Sequence, residues 1–153
     1  KDARQKESYR SVQAANLIIT SPPYYGMRTY VEDQWLRSWF LGGPDHVAYG
    51  NGQQLRHSGH RVFVAELSRV WTNAFHSSQK DAHLYIRFGA IPSAKSDPRE
   101  ILKASLKESG GWELISVRNA STADAGKRQA NQMGRDSIPA TEFDFHAIRT
   151  SAI

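Results

Sequence analysis

The sequence predicts an α/β sheet whose final two strands run antiparallel, and three observations carry that prediction. Apolar residues recur with strand and helix periods in alternation, no internal repeat or low-complexity tract interrupts them, and glycine or proline marks most changes of period. The order reads strand, helix, helix, strand, helix, strand, strand.

Residues 16–20, with the run Leu17-Ile18-Ile19, form the first strand. From Val31 to Leu41, Trp35, Leu36, Trp39 and Phe40 fall at helical spacing, and Gly42-Gly43-Pro44 ends that helix. Trp35 and Trp39 stand four residues apart, which reads as core packing ahead of a base-stacking platform. The stretch from Pro44 to Gly59 has no period and is a loop. His46, His57 and His60 have a spacing that fits no compact metal-ligand set, so solvent-facing or DNA-facing histidines are expected. A second helix runs from about Arg61 to Ser77 and aligns Phe63, Val64, Leu67, Val70, Trp71, Ala74 and Phe75 on one face. Ala82, Leu84, Ile86 and Phe88 then alternate with His83, Tyr85 and Arg87 as a strand closed by Gly89. Asp97-Pro98-Arg99-Glu100 is a helix start, with an acceptor at the cap, proline in the first turn and Glu three residues after the cap. Ile101, Leu102 and Leu106 give this helix its apolar stripe, and Gly110-Gly111 stops it. Trp112 to Val117 is a further strand. After a long polar stretch, Glu142 to Ile148 alternates Phe143, Phe145 and Ala147 with polar neighbours as the last strand.

A chain of 153 residues with 39% hydrophobic content can bury the core of one compact domain. No apolar run approaches the ~20 residues needed to span a bilayer, and Lys1-Asp2-Ala3-Arg4 does not open a signal peptide. A cytoplasmic protein without a membrane partner is expected. The absence of cysteine excludes disulfides, a thiolate zinc site and a cysteine nucleophile. The formal charge of +5 favours a polyanionic partner such as DNA, whose phosphates reward basic proteins.

Thr20-Ser21-Pro22-Pro23-Tyr24 follows the first strand directly, at the end where open α/β sheets keep their chemistry. Two prolines fix φ at about −65° and remove two backbone donors, so the Ser21 and Pro22 carbonyls are free to face outward. A hydroxyl, a carbonyl and an aromatic face within four residues make a clamp for a planar group with an exocyclic amine, such as a flipped base. A plain turn or a proline-rich ligand segment is the other reading, against which the apolar strand upstream weighs.

Asn16-Leu17-Ile18-Ile19-Thr20-Ser21-Pro22-Pro23-Tyr24 resembles the catalytic motif of the S-adenosylmethionine-dependent DNA amino-methyltransferases, which carry Asp, Asn or Ser before Pro-Pro-Tyr. The resemblance implies that Ser21 and the Pro22 carbonyl hold the target amine and that Tyr24 stacks on the base, with Pro23 a further residue of the catalytic motif. The Ser form implies cytosine N4 ahead of adenine N6. Related motifs act on protein glutamine or RNA bases, so amino-group methylation is implied more strongly than DNA as substrate. Methylation of an amine needs no thiolate, in keeping with the missing cysteine.

The same resemblance implies the second half of a Rossmann-like methyltransferase sheet, from the catalytic strand through the terminal antiparallel pair. Residues 1–153 contain no glycine-rich cofactor loop, and Gly50-Asn51-Gly52 lacks the strand that would precede one. Asp2-Ala3-Arg4 looks like the tail of a Gly-Asp-Ala-Arg segment, and the chain begins without Met. The expectation is therefore a single partial domain whose S-adenosylmethionine site is completed by an upstream segment or another subunit. Here Asp2 would approach the donor's adenine and Thr20 its methyl end. Tyr25, Arg28 and Tyr30, just past the clamp, are candidates to touch DNA. Lys127, Arg128 and Arg135 are further candidates in the loop 119–140, whose length suits either a functional or a disordered segment. A noncatalytic nucleic-acid-binding or assembly module that kept the sheet and lost the cofactor half is the alternative.

Overall fold

The computed structural model describes residues 2–12, 14–26, 35–46, 55–56, 58–91, 95–120 and 141–150. Four strands, β1 (Ala15–Thr20), β2 (Ser78–Ala90), β3 (Trp112–Asn119) and β4 (Thr141–Arg149), form one sheet in the order β1-β2-β4-β3. β1 lies parallel to β2, while β4 is antiparallel to both of its neighbours. The expected antiparallel final pair is thus present, with β4 inserted between β2 and β3. The helices among the described residues are α1 (Trp35–Phe40), α2 (His60–His76) and α3 (Pro98–Ser109), preceded by a 3-10 turn at Lys6–Tyr9 that sequence periodicity did not indicate.

α2 and α3 cover one face of the sheet. The buried stripe of α2 contains Phe63, Val64, Leu67, Trp71 and Ala74, and that of α3 contains Ile101, Leu102 and Leu106. Against them lie Ala82, Leu84, Ile86 and Phe88 of β2 with Phe145 and Ala147 of β4. Two indoles give this core its register. Trp71 Nε1 donates to Ser105 Oγ at 2.9 Å, and Ser105 Oγ donates to the Leu102 carbonyl at 2.8 Å. Trp112 Nε1 donates to the Trp71 carbonyl at 2.9 Å, which ties β3 to α2. No polar atom of these rings is left unpaired in the apolar interior, where an orphan is costly.

The helix signals mostly hold. Asp97 caps α3 by accepting from Arg99 N at 2.8 Å, with Pro98 in the first turn. Glu100, expected to reach back to the cap, instead meets Lys103 at 3.5 Å. Gly42, at φ +86°, closes α1 by donating to the Trp39 carbonyl while Gly43 N donates to that of Ser38, a left-handed cap that glycine permits. The burial expected of α1 fails. Trp35 and Trp39 stack on each other with centroids 6.5 Å apart, none of the helix is buried, and Phe40 is 83% exposed. None of the described residues of α1 joins the core that α2 and α3 fill. β2 is longer than its alternation suggests. Ala15 pairs with Ser78 but Leu17 with His83, and the extra residues of β2 are taken up around Asp81 at φ +61°.

Ser105→Ala leaves the Trp71 indole N–H buried without its partner, so unfolding free energy falls by about 1–3 kcal/mol. Denaturant titration of the two proteins checks this, and an unchanged midpoint would mean that the indole finds another acceptor.

Candidate active site

β1 ends at Thr20, and the chain leaves the sheet for four residues before touching it again. Ser21 is exposed and Pro22, Pro23 and Tyr24 are half-buried. At Tyr25 the chain rejoins β2 by a single parallel bridge to Ala90: Tyr25 N donates to the Gly89 carbonyl at 3.2 Å, and Ile91 N donates to the Tyr25 carbonyl at 3.1 Å. The arch is therefore pinned at both feet. The Tyr24 ring meets Phe88 edge to face, with centroids 6.5 Å apart. A Cβ on Gly89 would lie 2.8 Å from the Thr141 carbonyl oxygen and 3.5 Å from Tyr24 Cδ2, so only glycine lets loop, β2 and β4 meet there. Tyr25 points its ring to the helix side, 5.1 Å from Phe63 and 6.1 Å from His60, where it packs on the core.

Thr20 and Ser21 form one end of a cleft of about 690 Å³ that runs across the sheet face opposite α2 and α3. Its floor and far wall include Ile19, Tyr85, Arg87, Ser116, Arg118, Asp144 and His146. Register explains the assembly: Ile19 aligns with Tyr85, Tyr85 with His146 and His146 with Ser116, one row across all four strands. The Tyr85 and His146 rings are stacked at 4.3 Å and 3°, and His83 Nδ1 lies 2.9 Å from His146 Nε2. Arg87 grips Asp144 with two bonds of 2.8 Å, which holds the Asp144 carboxyl below its usual range. Loss of hydration, and after it the neighbouring His83 and Arg118, hold His146 below the ordinary imidazole value.

Asp2 is placed elsewhere. Its carboxylate accepts from Arg4 Nη2 at 2.6 Å and from Arg4 N at 2.9 Å, and these bonds lower its pKa. Arg4 reaches on to Glu66 of α2 at 3.0 Å. Glu66 is buried, which raises its pKa, yet the bonds from Arg56 and the charge of Arg4 outweigh burial and leave it lowered. The Asp2 carboxylate, expected near a donor's adenine, is thus engaged by Arg4, while Thr20 and Ser21 line the end of the cleft. Among the described residues there is no group of three or more His, Asp or Glu that could hold a metal. No described helix is long and apolar enough to cross a membrane.

Arg28, Tyr30, Lys127, Arg128 and Arg135 lie outside the described residues. The sequence reading passed over Arg87, Arg118, Asp144 and His146 as site residues. For Arg87, Asp144 and His146 the one signal was position, the polar phase of an alternating strand; Arg118 shares the alternation phase of Trp112 and Leu114, and only the register shift between Leu114 and Ser116 turns it to the cleft. Strand pairing then sets them beside Ser21.

A parallel strand ending in this loop, followed by a helix-linked strand and an inserted antiparallel strand, defines an α/β fold that resembles about half of a larger solved fold. Three solved structures share it, all of TTHA0409 from Thermus thermophilus, a proposed DNA modification methylase. The first superposes with a TM-score of 0.54 at 14% identity, over 100% of this chain and 53% of that one. Its selenomethionine derivative gives 0.53 at 17% identity over 99% and 53%, and its complex with S-adenosyl-L-methionine gives 0.53 at 16% over 99% and 54%. The chain spans about half the length of these neighbours. No protein-family profile matches it, and no curated protein does.

Gly89→Ala forces a methyl against the Thr141 carbonyl and Tyr24, and overpacking of this kind costs about 1–3 kcal/mol. Tyr24 and Phe88 ring resonances should shift in NMR spectra while those of Trp71 stay in place. Glu66→Gln weakens the Arg4 and Arg56 bonds, costing about 1–3 kcal/mol at neutral pH. Because the folded-state pKa of Glu66 is lowered, its stabilisation is present above the unfolded value of 4.5 and is lost as pH falls through the folded one. The gap between wild type and variant should therefore close in acid, and a gap independent of pH would remove the charge from the account.

Proposed function

We propose that this chain is the base-handling part of a DNA amino-methyltransferase, acting on the exocyclic amine of a flipped base, most specifically cytosine N4. What supports the reading is the placement of Ser21: exposed at the mouth of a cleft, on an arch whose two feet are fixed in the sheet. Its hydroxyl accepts no hydrogen bond from a described residue, which leaves it open to an incoming amine. Ser21 Oγ and the Pro22 carbonyl accept the two amine hydrogens and turn the nitrogen lone pair away from the ring, toward the reacting methyl. Tyr24, braced by Phe88, supplies the face on which the base rests. S-adenosylmethionine supplies the methyl group, held largely by another segment or subunit, with Thr20 at its methyl end.

The reaction requires no covalent enzyme intermediate, and none of these residues is a nucleophile. Their contribution is position and amine orientation. The cationic Arg118 and the overall charge of +5 suit a phosphate-bearing substrate. The alternative, a noncatalytic module derived from such an enzyme, retains the same cleft and loses only the donor.

Mass spectrometry of nucleosides from DNA modified by the complete protein should show N4-methylcytosine; methyladenine alone sinks the cytosine assignment. Ser21→Ala should slow methylation with little change in DNA affinity, since phosphate contacts dominate binding. Tyr24→Ala should lose a stacking contact of about 1–3 kcal/mol. In calorimetry the 153 residues alone should give no heat with micromolar S-adenosylmethionine, and a clear isotherm there would show a donor site within this chain.

A further inference from the structure

We infer that Arg87 reads the ring edge of the flipped base, donating to N3 and O2 of cytosine while Ser21 and Pro22 hold its amine. This rests on the methyltransferase reading and gives the choice of base to a residue outside the clamp motif. Thr20 aligns with Ile86 across the parallel β1–β2 ladder, so Ser21 and Arg87 come next along their two chains, and both line the cleft. Neighbouring strands lie ~4.8 Å apart. Arg118 stands on β3 at the far edge, three strand spacings or about 14 Å from β1, a reach that suits a phosphate and not the base held at Ser21.

Asp144 fixes the pose of Arg87 and leaves donors to spare. Its carboxylate takes Nε on Oδ1 and Nη2 on Oδ2, each at 2.8 Å, along one side of the planar guanidinium. Nη1 is the corner opposite that side and makes no hydrogen bond with a described residue. Asp144 belongs to β4, and β1 flanks β2 on the other side, so Nη1 is turned from β4 toward the strand that leads to Ser21. The bonds to Asp144, and more weakly Glu142 and Tyr24, raise the Arg87 pKa, which keeps it a cation close to the stacking residue. Nη1 and the second hydrogen of Nη2 make a fork for two adjacent acceptors.

Cytosine presents its amine, then N3, then O2, a donor followed by two acceptors. The cleft offers the complement, with acceptors on the arch and donors from β2. Adenine has a ring nitrogen beside its amine but a C–H where cytosine has O2, so half of the fork is left unpaired. Thymine brings a carbonyl to the Ser21 and Pro22 acceptors and an N–H to the arginine. Base-flipping enzymes read the extruded base along this edge, and Arg87 is the described cation placed to do so.

The test uses the complete methylating protein and an oligonucleotide carrying a sequence it modifies, read by nucleoside mass spectrometry. The Arg87 side chain is 52% exposed, so Arg87→Met should keep its circular dichroism, and its duplex affinity should hold because phosphates dominate binding. Its N4-methylcytosine formation should fall about 10- to 100-fold, the range of a bidentate base contact. Arg87→Asp combined with Asp144→Arg keeps the cross-strand ion pair but moves the donors to β4, and should be as slow as Arg87→Met. A wild-type rate in that double variant would mean that the pair serves only the sheet, and would overturn the inference. With 2-thiocytosine at the target position, whose sulfur is a poor acceptor, the wild type should slow about tenfold and Arg87→Met no further. Equal slowing in both would likewise overturn it. N4-methylcytosine from Arg87→Met at the wild-type rate removes Arg87 and leaves the function standing, whereas DNA left unmethylated by the wild-type protein overturns the methyltransferase reading itself.

Discussion

Two backbone hydrogen bonds at Tyr25 hold the candidate site in place. Without them Ser21-Pro22-Pro23-Tyr24 would be a tail hanging from β1; with them it is an arch whose far foot is the end of β2. Proline removes two donors from the arch itself, so the loop cannot fold back into the ladder between its feet. The same bridge brings Tyr24 and Tyr25 to one aromatic pair. The Tyr24 ring meets Phe88 and the Tyr25 ring meets Phe63, and Phe88 and Phe63 stack on each other in the core. The arch is thus braced by buried aromatics as well as by its backbone bonds.

The sheet has one apolar face and one mixed face, and the difference decides where chemistry can occur. Beneath α2 and α3 every polar atom of the two indoles is paired and the packing is that of an ordinary core. On the other face arginine, aspartate, two histidines and a tyrosine share a surface with exposed aliphatics. Solvent access keeps the Arg87–Asp144 pair from contributing much to stability. Its two bonds fix the side chains of β2 and β4 to each other at the cleft.

Much of this was legible from residue order. Alternation in 82–88 and 142–148 located β2 and β4, Asp97-Pro98 located the start of α3, and Gly42-Gly43 located the end of α1, because each signal is local and backbone-driven. The site loop was legible for the same reason: proline and the apolar strand before it act within a few residues. The Arg4–Glu66 and Arg87–Asp144 pairs were not legible. Their partners are 62 and 57 residues apart, and only the completed sheet and helix layer bring them together. The exposure of α1 escaped for a related reason. Helical spacing shows that a stripe exists, but not whether a core remains for it to join.

β1 is attached to the rest of the fold unevenly. Of its aliphatic residues, only Ile18 packs into the core, while Leu17 and Ile19 face outward. β2, β4, β3 and both long helices share the indole pins and the apolar interior without it. The strand that leads into Ser21 is therefore tied to the sheet mainly by its hydrogen bonds to β2 and only lightly by apolar packing. In this chain the order of the cleft's end and the integrity of the core are separable, and changes that disturb the first can leave the second untouched.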